Sequence, residues 1–299
     1  MRGISFCTLI FIIVISGNSG LLLGQSRMLR AGATKVDITP PRNMLPIKDM
    51  QEFSGIHDPI FVRALVLDNG VGKIALISVD TTHLVLSDEL VQSLRRELMI
   101  PADHLILSAT HDHNSPSIAW GNPPKKSPFY AIVEKGAVEA AHKALMNLQP
   151  ARIGFGLGKA YVNTNRDEKI GEGYHMGYNQ DGPSDKTVSV LLVTKPSGDP
   201  IAVDASYAVH SVVMFRNHTN GGKIEITGDL GGWTSRYVEE HLGGAVALWT
   251  MAAAGDQNPL FQADYHQDAH EESDGEWAIL DVLSRRLGEE IVRVSQRIE

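Results

Sequence analysis

The sequence predicts an α/β fold: a single domain with a mixed β-sheet core flanked by helices. Three observations predict it. Short apolar, β-branched runs alternate with amphipathic stretches of helical period. An early hairpin signal puts antiparallel strands into a sheet that strand–helix–strand units would otherwise make parallel. The chain of 299 residues, 43% hydrophobic and 21% charged, also has ordinary globular composition and enough length for one large core.

The elements follow in order. Residues 29–41 (LRAGATKVDITPP) predict a strand closed by a Pro-Pro turn. Residues 61–67 and 74–79 predict paired strands, with Asp68-Asn69-Gly70 in the turn. Over residues 87–98 the period changes to helical, with Ser87 as N-cap. Residues 104–109 predict a short buried strand, followed by a Pro/Gly-rich loop to residue 128. Residues 130–148 predict a second helix. Residues 151–158, 188–193 and 201–209 predict strands, and the polar, glycine-rich stretch 163–184 between them predicts a loop. Residues 232–242 predict a helix, 245–251 a strand, 255–275 a loop rich in His and Asp, and 276–298 a terminal helix. No internal repeat is visible.

Residues 1–25 have the order of a secretory signal peptide: a basic start, an uncharged apolar run (residues 4–15), then small polar residues. The run is shorter than the roughly 20 residues a span needs, so export to a secreted or periplasmic location is expected. The extension Leu21 to Leu23 leaves an uncleaved membrane anchor as the alternative. The only cysteine, Cys7, lies in this run. The exported chain would hold no disulfide and no thiolate ligand. The formal net charge is −8 and no basic run is present, so nucleic acid is not an expected partner. The last helix meets Glu299 without a stop signal, and the sequence reads as a piece of something longer.

Five motifs carry chemistry. In SATHDHNSP a strand runs into His111 and His113, whose i, i+2 spacing lets both rings point to one side. In VDASYAVHSVVM, His210 interrupts an apolar strand. Neutral imidazoles from separate strand ends suit a borderline metal such as zinc, so His111 and His210 are the candidate ligands. In AAAGDQNP small residues lead into a turn bearing Asp256 and Asn258. In ITGDLGGW, Asp229 either caps a helix or supplies a carboxylate. Arg166, within NTNRD, is a candidate oxyanion group.

These segments, taken in their order along the chain, resemble the neutral/alkaline ceramidase family. AGATKVDITPP looks like that family's opening, and ATHDHNSP is similar to its His-Thr-His-Ser-Gly-Pro signature. The resemblance covers nearly everything after residue 30. It implies residues 29–299 as the N-terminal catalytic domain, truncated at its C-terminus, of an amidase with Zn2+ as cofactor. That enzyme cleaves the N-acyl amide of ceramide by attack of a metal-bound water. His111 and His210 would ligate the zinc, His113 would contact the reacting carbonyl or substrate hydroxyls, and Arg166 would lie beside them. Asp256 and Asn258 would complete the catalytic set.

A small-molecule lipid amide is the implied partner, with peripheral membrane contact. The sequence departs from the family at several places. Asn258 stands where the family has a catalytic serine, and Leu260 where it has an asparagine. The Glu and Tyr that complete the family's zinc site come from beyond this chain's length, leaving Asp80, Asp112, Asp229 and Asp256 as replacements. Two other readings stay open: a catalytically impaired secreted homologue that binds lipid or carbohydrate, and a metal-dependent esterase or phosphatase.

Overall fold

Residues 61–68 are apolar at nearly every position, and six consecutive side chains are buried. A strand with that pattern must be covered on both faces. The computed structural model describes residues 28–216, 222–263 and 275–298. The first half of the chain contributes β1 (Arg30–Asp37), β2 (Ile47–Lys48), β3 (Glu52–Ile56), β4 (Phe61–Asp68), β5 (Lys73–Val79), α1 (Asp88–Leu98), β6 (Leu105–Ala109), β7 (Ala119–Trp120), β8 (Lys125–Lys126) and α2 (Tyr130–Met146). The second contributes β9 (Gln149–Pro150), β10 (Arg152–Lys159), β11 (Asn163–Ile170), β12 (Gly173–Asn179), β13 (Thr187–Thr194), β14 (Pro200–Tyr207), β15 (Ile224–Ile226), α3 (Asp229–His241), β16 (Val246–Met251), β17 (Gln257–Pro259) and α4 (Gly275–Ser295).

The α/β expectation holds, with two large mixed sheets where the sequence suggested one. The first has the order β6-β5-β4-β1-β9 and the second β10-β13-β14-β16. They pack face to face through Ala31, Leu65 and Leu67 on one side and Val193, Ala202 and Leu248 on the other. Helices α1 and α2 cover the outer face of the first sheet, where Leu90, Leu94, Leu98 and Ala137 meet Val62, Ala64 and Ile77. Helices α3 and α4 cover the second, where Val238, Leu283 and Leu287 meet Val190, Val203 and Ala205. The result is four layers, helix–sheet–sheet–helix.

The two halves repeat one topology. In the first, β4 pairs antiparallel with β1 and β5, and β5 runs parallel to β6 across α1. In the second, β13 pairs antiparallel with β10 and β14, and β14 runs parallel to β16 across α3. The expectation of no internal repeat is corrected at the level of topology. Strand pairing is reproduced while burial patterns and residue identities are not, so nothing in the sequence displays it. The consequence is functional: two parallel strand pairs, β5/β6 and β14/β16, end near one another. Carboxyl ends of parallel strands are where α/β folds place their sites.

The stretch expected as a loop at 163–184 contains the hairpin β11–β12. Its turn uses Gly171 at φ +62°, a conformation favourable to glycine. The strands escaped prediction because much of the hairpin is exposed, Tyr174 by 70% and Met176 by 73%, so no burial-driven alternation marks them. Among the described residues no helix is long and apolar enough to cross a membrane. The expected signal segment with Cys7, and residues 264–274 of the His- and Asp-rich stretch, lie outside the described residues.

Helix α2 lies against β1 at closest approach to Gly32. A Cβ there would stand 2.1 Å from the backbone oxygen of Ala144. Backbone cannot swing aside as a side chain can, so Gly32→Ala is expected to lower stability by about 1–3 kcal/mol or more. Chemical denaturation measures it, and an unchanged midpoint would contradict this packing.

Candidate metal centre

The chain leaves β6 at Ala109, and two residues on His111 sits at φ +58°. That conformation is uncommon for a non-glycine residue, and such strain concentrates at functional sites. Neighbouring backbone bonds hold it. The N–H of Asp112 donates to Thr81 (3.2 Å), and the N–H of His113 donates to Ser211 (3.1 Å). Asp112 and Ser211 form a parallel bridge that joins the two halves of the fold.

His111, His113 and His210 converge, each offering one ring nitrogen within 4.8 Å of the others. The Nε2 atoms of His111 and His113 are 3.2 Å apart. Each of the two predicted ligands is oriented from behind. Nδ1–H of His111 donates to the carbonyl of Thr82 at 2.8 Å, and Nδ1–H of His210 donates to the carbonyl of Gln257 at 3.0 Å. A proton committed to Nδ1 leaves Nε2 with its lone pair, the tautomer metal-bound histidines take. His113 differs: its Nδ1 is buried and has no partner.

Burial is the first cause that favours neutral rings. It lowers His111, with Arg166 and His83 adding to it. Burial, then His111 and His210, push His113 down to about 3. Burial, then Arg166, push His210 down to about 4. Neutral imidazoles with Nε2 lone pairs facing one another at close range are what a cation relieves. The two rear-anchored rings therefore fit a borderline metal ion such as zinc, with His113 beside them as a neutral ring.

Arg166 lies on β11, and its charge is felt at all three histidines. Its N–H donates to the carbonyl of Asp256 at 2.8 Å. Its guanidinium donates to Oδ1 of Asn258 at 3.4 Å. Asp256 was expected among the catalytic groups. Its carboxylate accepts from Asn165 Nδ2 at 2.8 Å, so it braces the strand that carries Arg166. Asn258 touches Arg166 from β17, the strand paired with β11.

None of the aspartates considered as replacement ligands joins the three imidazoles within that range. Asp80 accepts from Arg63 at 3.0 Å. Asp229 accepts the N–H groups of Val213, Met214 and Leu230. It therefore clamps the loop after His210; it neither caps α3 from the N-cap position, which Gly228 occupies, nor supplies a ligand. Asp112 is fully buried, and Oδ1 accepts the N–H of Asn114 at 2.7 Å. Burial, then Asp229 and Asp80, hold its carboxyl well above the usual carboxylate range.

Sequence reasoning missed Thr82, Gln257 and His83. The first two act through backbone carbonyls, which no side-chain motif reports. Gln257 stood inside a motif already singled out. His83 had a signal, as a histidine just beyond an apolar strand end, but no second histidine beside it.

Comparisons with known proteins bear on the family and the fold. The family model described as neutral/alkaline non-lysosomal ceramidase, N-terminal, matches residues 30–276. Neutral ceramidase A of Dictyostelium discoideum is 27% identical over 265 residues, covering 78% of this chain and 35% of that protein. Neutral ceramidase B of the same organism is 27% identical over 242 residues, covering 70% and 32%. The chain thus spans about a third of the length of the curated relatives it matches. The crystal structure of neutral ceramidase from Pseudomonas aeruginosa superposes with a TM-score of 0.66 at 19% identity, over 90% of this chain and 45% of that one. A ceramidase complexed with C2 superposes at 0.65 and 18%, over 90% and 44%. At those identities the superpositions speak for the fold, and the matched span settles kinship: this chain belongs to the neutral/alkaline non-lysosomal ceramidase family.

Proposed function

We propose that this protein hydrolyses the N-acyl amide of ceramide or a related lipid amide at a zinc centre held by His111 and His210. One observation carries the reading. Both rings are fixed by Nδ1–H donation to a backbone carbonyl, which leaves each Nε2 lone pair free, and the two rings offer nitrogens within 4.8 Å of each other. Zinc bound there would supply Lewis acidity and a nucleophilic water at neutral pH.

The chain's own groups do the rest. Arg166 presents a fixed positive charge where the amide oxygen becomes negative, and it needs no reorganisation at that moment. Asn258 accepts from Arg166 and holds its fork in place. An amide side chain is no nucleophile, so the reaction uses none from the protein at that position. His113 lacks the rear partner that both ligands have, and its neutral ring is the group placed to exchange a hydrogen bond with the reacting carbonyl or departing nitrogen.

Arg166→Ala is expected to lower kcat by about 10²–10³, with KM little changed, as for loss of one oxyanion contact. Steady-state kinetics on a ceramide distinguishes this from a loss confined to KM, which would remove Arg166 from the transition state.

The central test is release of fatty acid from ceramide with and without a chelator, alongside metal analysis of the purified chain. Chelator-insensitive cleavage would refute the zinc role. Asn258 in place of serine favours a second reading, a homologue that binds lipid without turnover. Zinc-loaded protein that binds ceramide and releases no fatty acid would establish that reading. On the first reading the substrate reaches the protein from a membrane after export. Detection of the chain outside the cytoplasm, lacking its first 25 or so residues, is the expected result.

A further inference from the structure

His210 is held at its ring and at its backbone by one residue. The carbonyl of Gln257 accepts both its Nδ1–H and its backbone N–H, each at 3.0 Å. Where Gln257 sits therefore decides where the ring points. Both ends of the Gln257 side-chain amide are fixed: Oε1 accepts from the Ser184 hydroxyl at 2.6 Å, and Nε2 donates to the carbonyl of Pro183 at 3.0 Å. Ser184 is fixed in turn by Lys186, whose ammonium donates to Oγ at 2.8 Å. The same ammonium donates to the carbonyl and to Oδ1 of Asn163, at 2.7 and 2.8 Å. Asn163 is fully buried, and its Nδ2 donates to the carbonyl of Ala208 at 2.7 Å, just ahead of His210 in the chain. Two routes thus lead from one cation to one imidazole, the first through Ser184 and Gln257, the second through Asn163 and Ala208.

A hydroxyl beside an amine also has the spacing of a nucleophile and its base. The bonding here points the other way. Three acceptors around one nitrogen use all three protons of an ammonium, and the Ser184 proton is committed to Gln257. Hydrogen bonds from a charged donor are roughly twice as strong as neutral ones, which suits a tie. We infer that Lys186 is a positioning residue for His210: through Ser184 and Gln257 on one side and Asn163 and Ala208 on the other, it fixes the ring and keeps its proton on Nδ1. The consequence for metal binding rests on the reading of His210 as a zinc ligand. His111 leans on a different carbonyl, that of Thr82 in the first half of the fold, so Lys186 acts on one ligand and not on the other.

The test uses the full chain. Long-range proton–nitrogen NMR spectra of the metal-free protein read the tautomers of His111 and His210, and competition with a chromophoric chelator reads zinc affinity. In wild type both rings are expected to carry the proton on Nδ1. Lys186→Met keeps the apolar stem and removes all three donors. It is expected to give His210 a mixture of tautomers, to leave His111 unchanged and to weaken zinc binding about tenfold or more. Lys186→Arg, which restores a charged donor, is expected to recover most of both. Ser184→Ala cuts only the tie to Gln257; it is expected to shift His210 in the same direction and serves if Lys186→Met does not fold. A His210 tautomer unchanged in Lys186→Met and Ser184→Ala, or a change at His111 in step with it, overturns the inference. Wild type that binds no zinc, with His210 still losing its tautomer in Lys186→Met, leaves the tie standing and removes the zinc reading instead.

Discussion

His210→Ala is expected to leave the protein folded, without stoichiometric zinc, and with ceramide hydrolysis lowered by about 10³ or more, a loss of roughly 4 kcal/mol in transition-state stabilisation. The physical reason is that two anchored Nε2 lone pairs define the centre, and His210 supplies the one from the second half of the fold. Its ring is buried and its Nδ1–H donates to the carbonyl of Gln257, which also accepts the backbone N–H of His210 and so keeps a partner in the variant. Metal analysis and a ceramide assay read the two effects together. Full zinc occupancy in the variant would show that His210 is a core histidine, and the proposed centre would fail with it. His113→Ala separates the roles: it is expected to retain zinc while losing turnover.

The largest stability effect is expected at Arg63. This side chain is 2% exposed, on β4, between the carboxylates of Asp80 and Glu239. Burial works against its charge, and the two carboxylates hold it in the charged form. Glu239 lies on α3 and also meets Lys35 of β1. The network therefore ties the outer helix of the second half to the sheet of the first. Arg63→Met removes the counter-charge and strands Asp80 in the interior, which costs about 3–5 kcal/mol. The double variant Arg63→Met/Asp80→Asn is expected to recover much of that, because a neutral pair leaves no buried charge uncompensated. Urea denaturation of both variants checks it. Equal losses in the single and double variants would show that the stranded charge is not the cause.

Much of the fold was legible from periodicity. The helices at 88–98, 130–146, 229–241 and 275–295 and the strands at 61–68, 73–79, 187–194 and 200–207 all follow their apolar spacing. Burial imposes that spacing on the sequence, so it can be read back. The hairpin β11–β12 was not legible because much of it faces outward. The repeated topology was not legible either, since two halves can share strand pairing with neither residues nor burial pattern in common. The number of sheets depended on which faces met, which the apolar pattern of the single strands does not say.

By itself the sequence determined the α/β class, the two metal-binding histidine candidates and Arg166. The class and the histidines are written in local spacing or in residues rare in an apolar strand, and Arg166 stood out as a cation in a polar, glycine-rich stretch. Only the tertiary structure decided that His113 completes the cluster, that Asp80, Asp229 and Asp256 bond elsewhere, and that backbone carbonyls of Thr82 and Gln257 choose the tautomer of the ligands. The reason is physical. A ligand set depends on where lone pairs point, and that is settled by contacts between residues far apart in the chain, which no local pattern encodes.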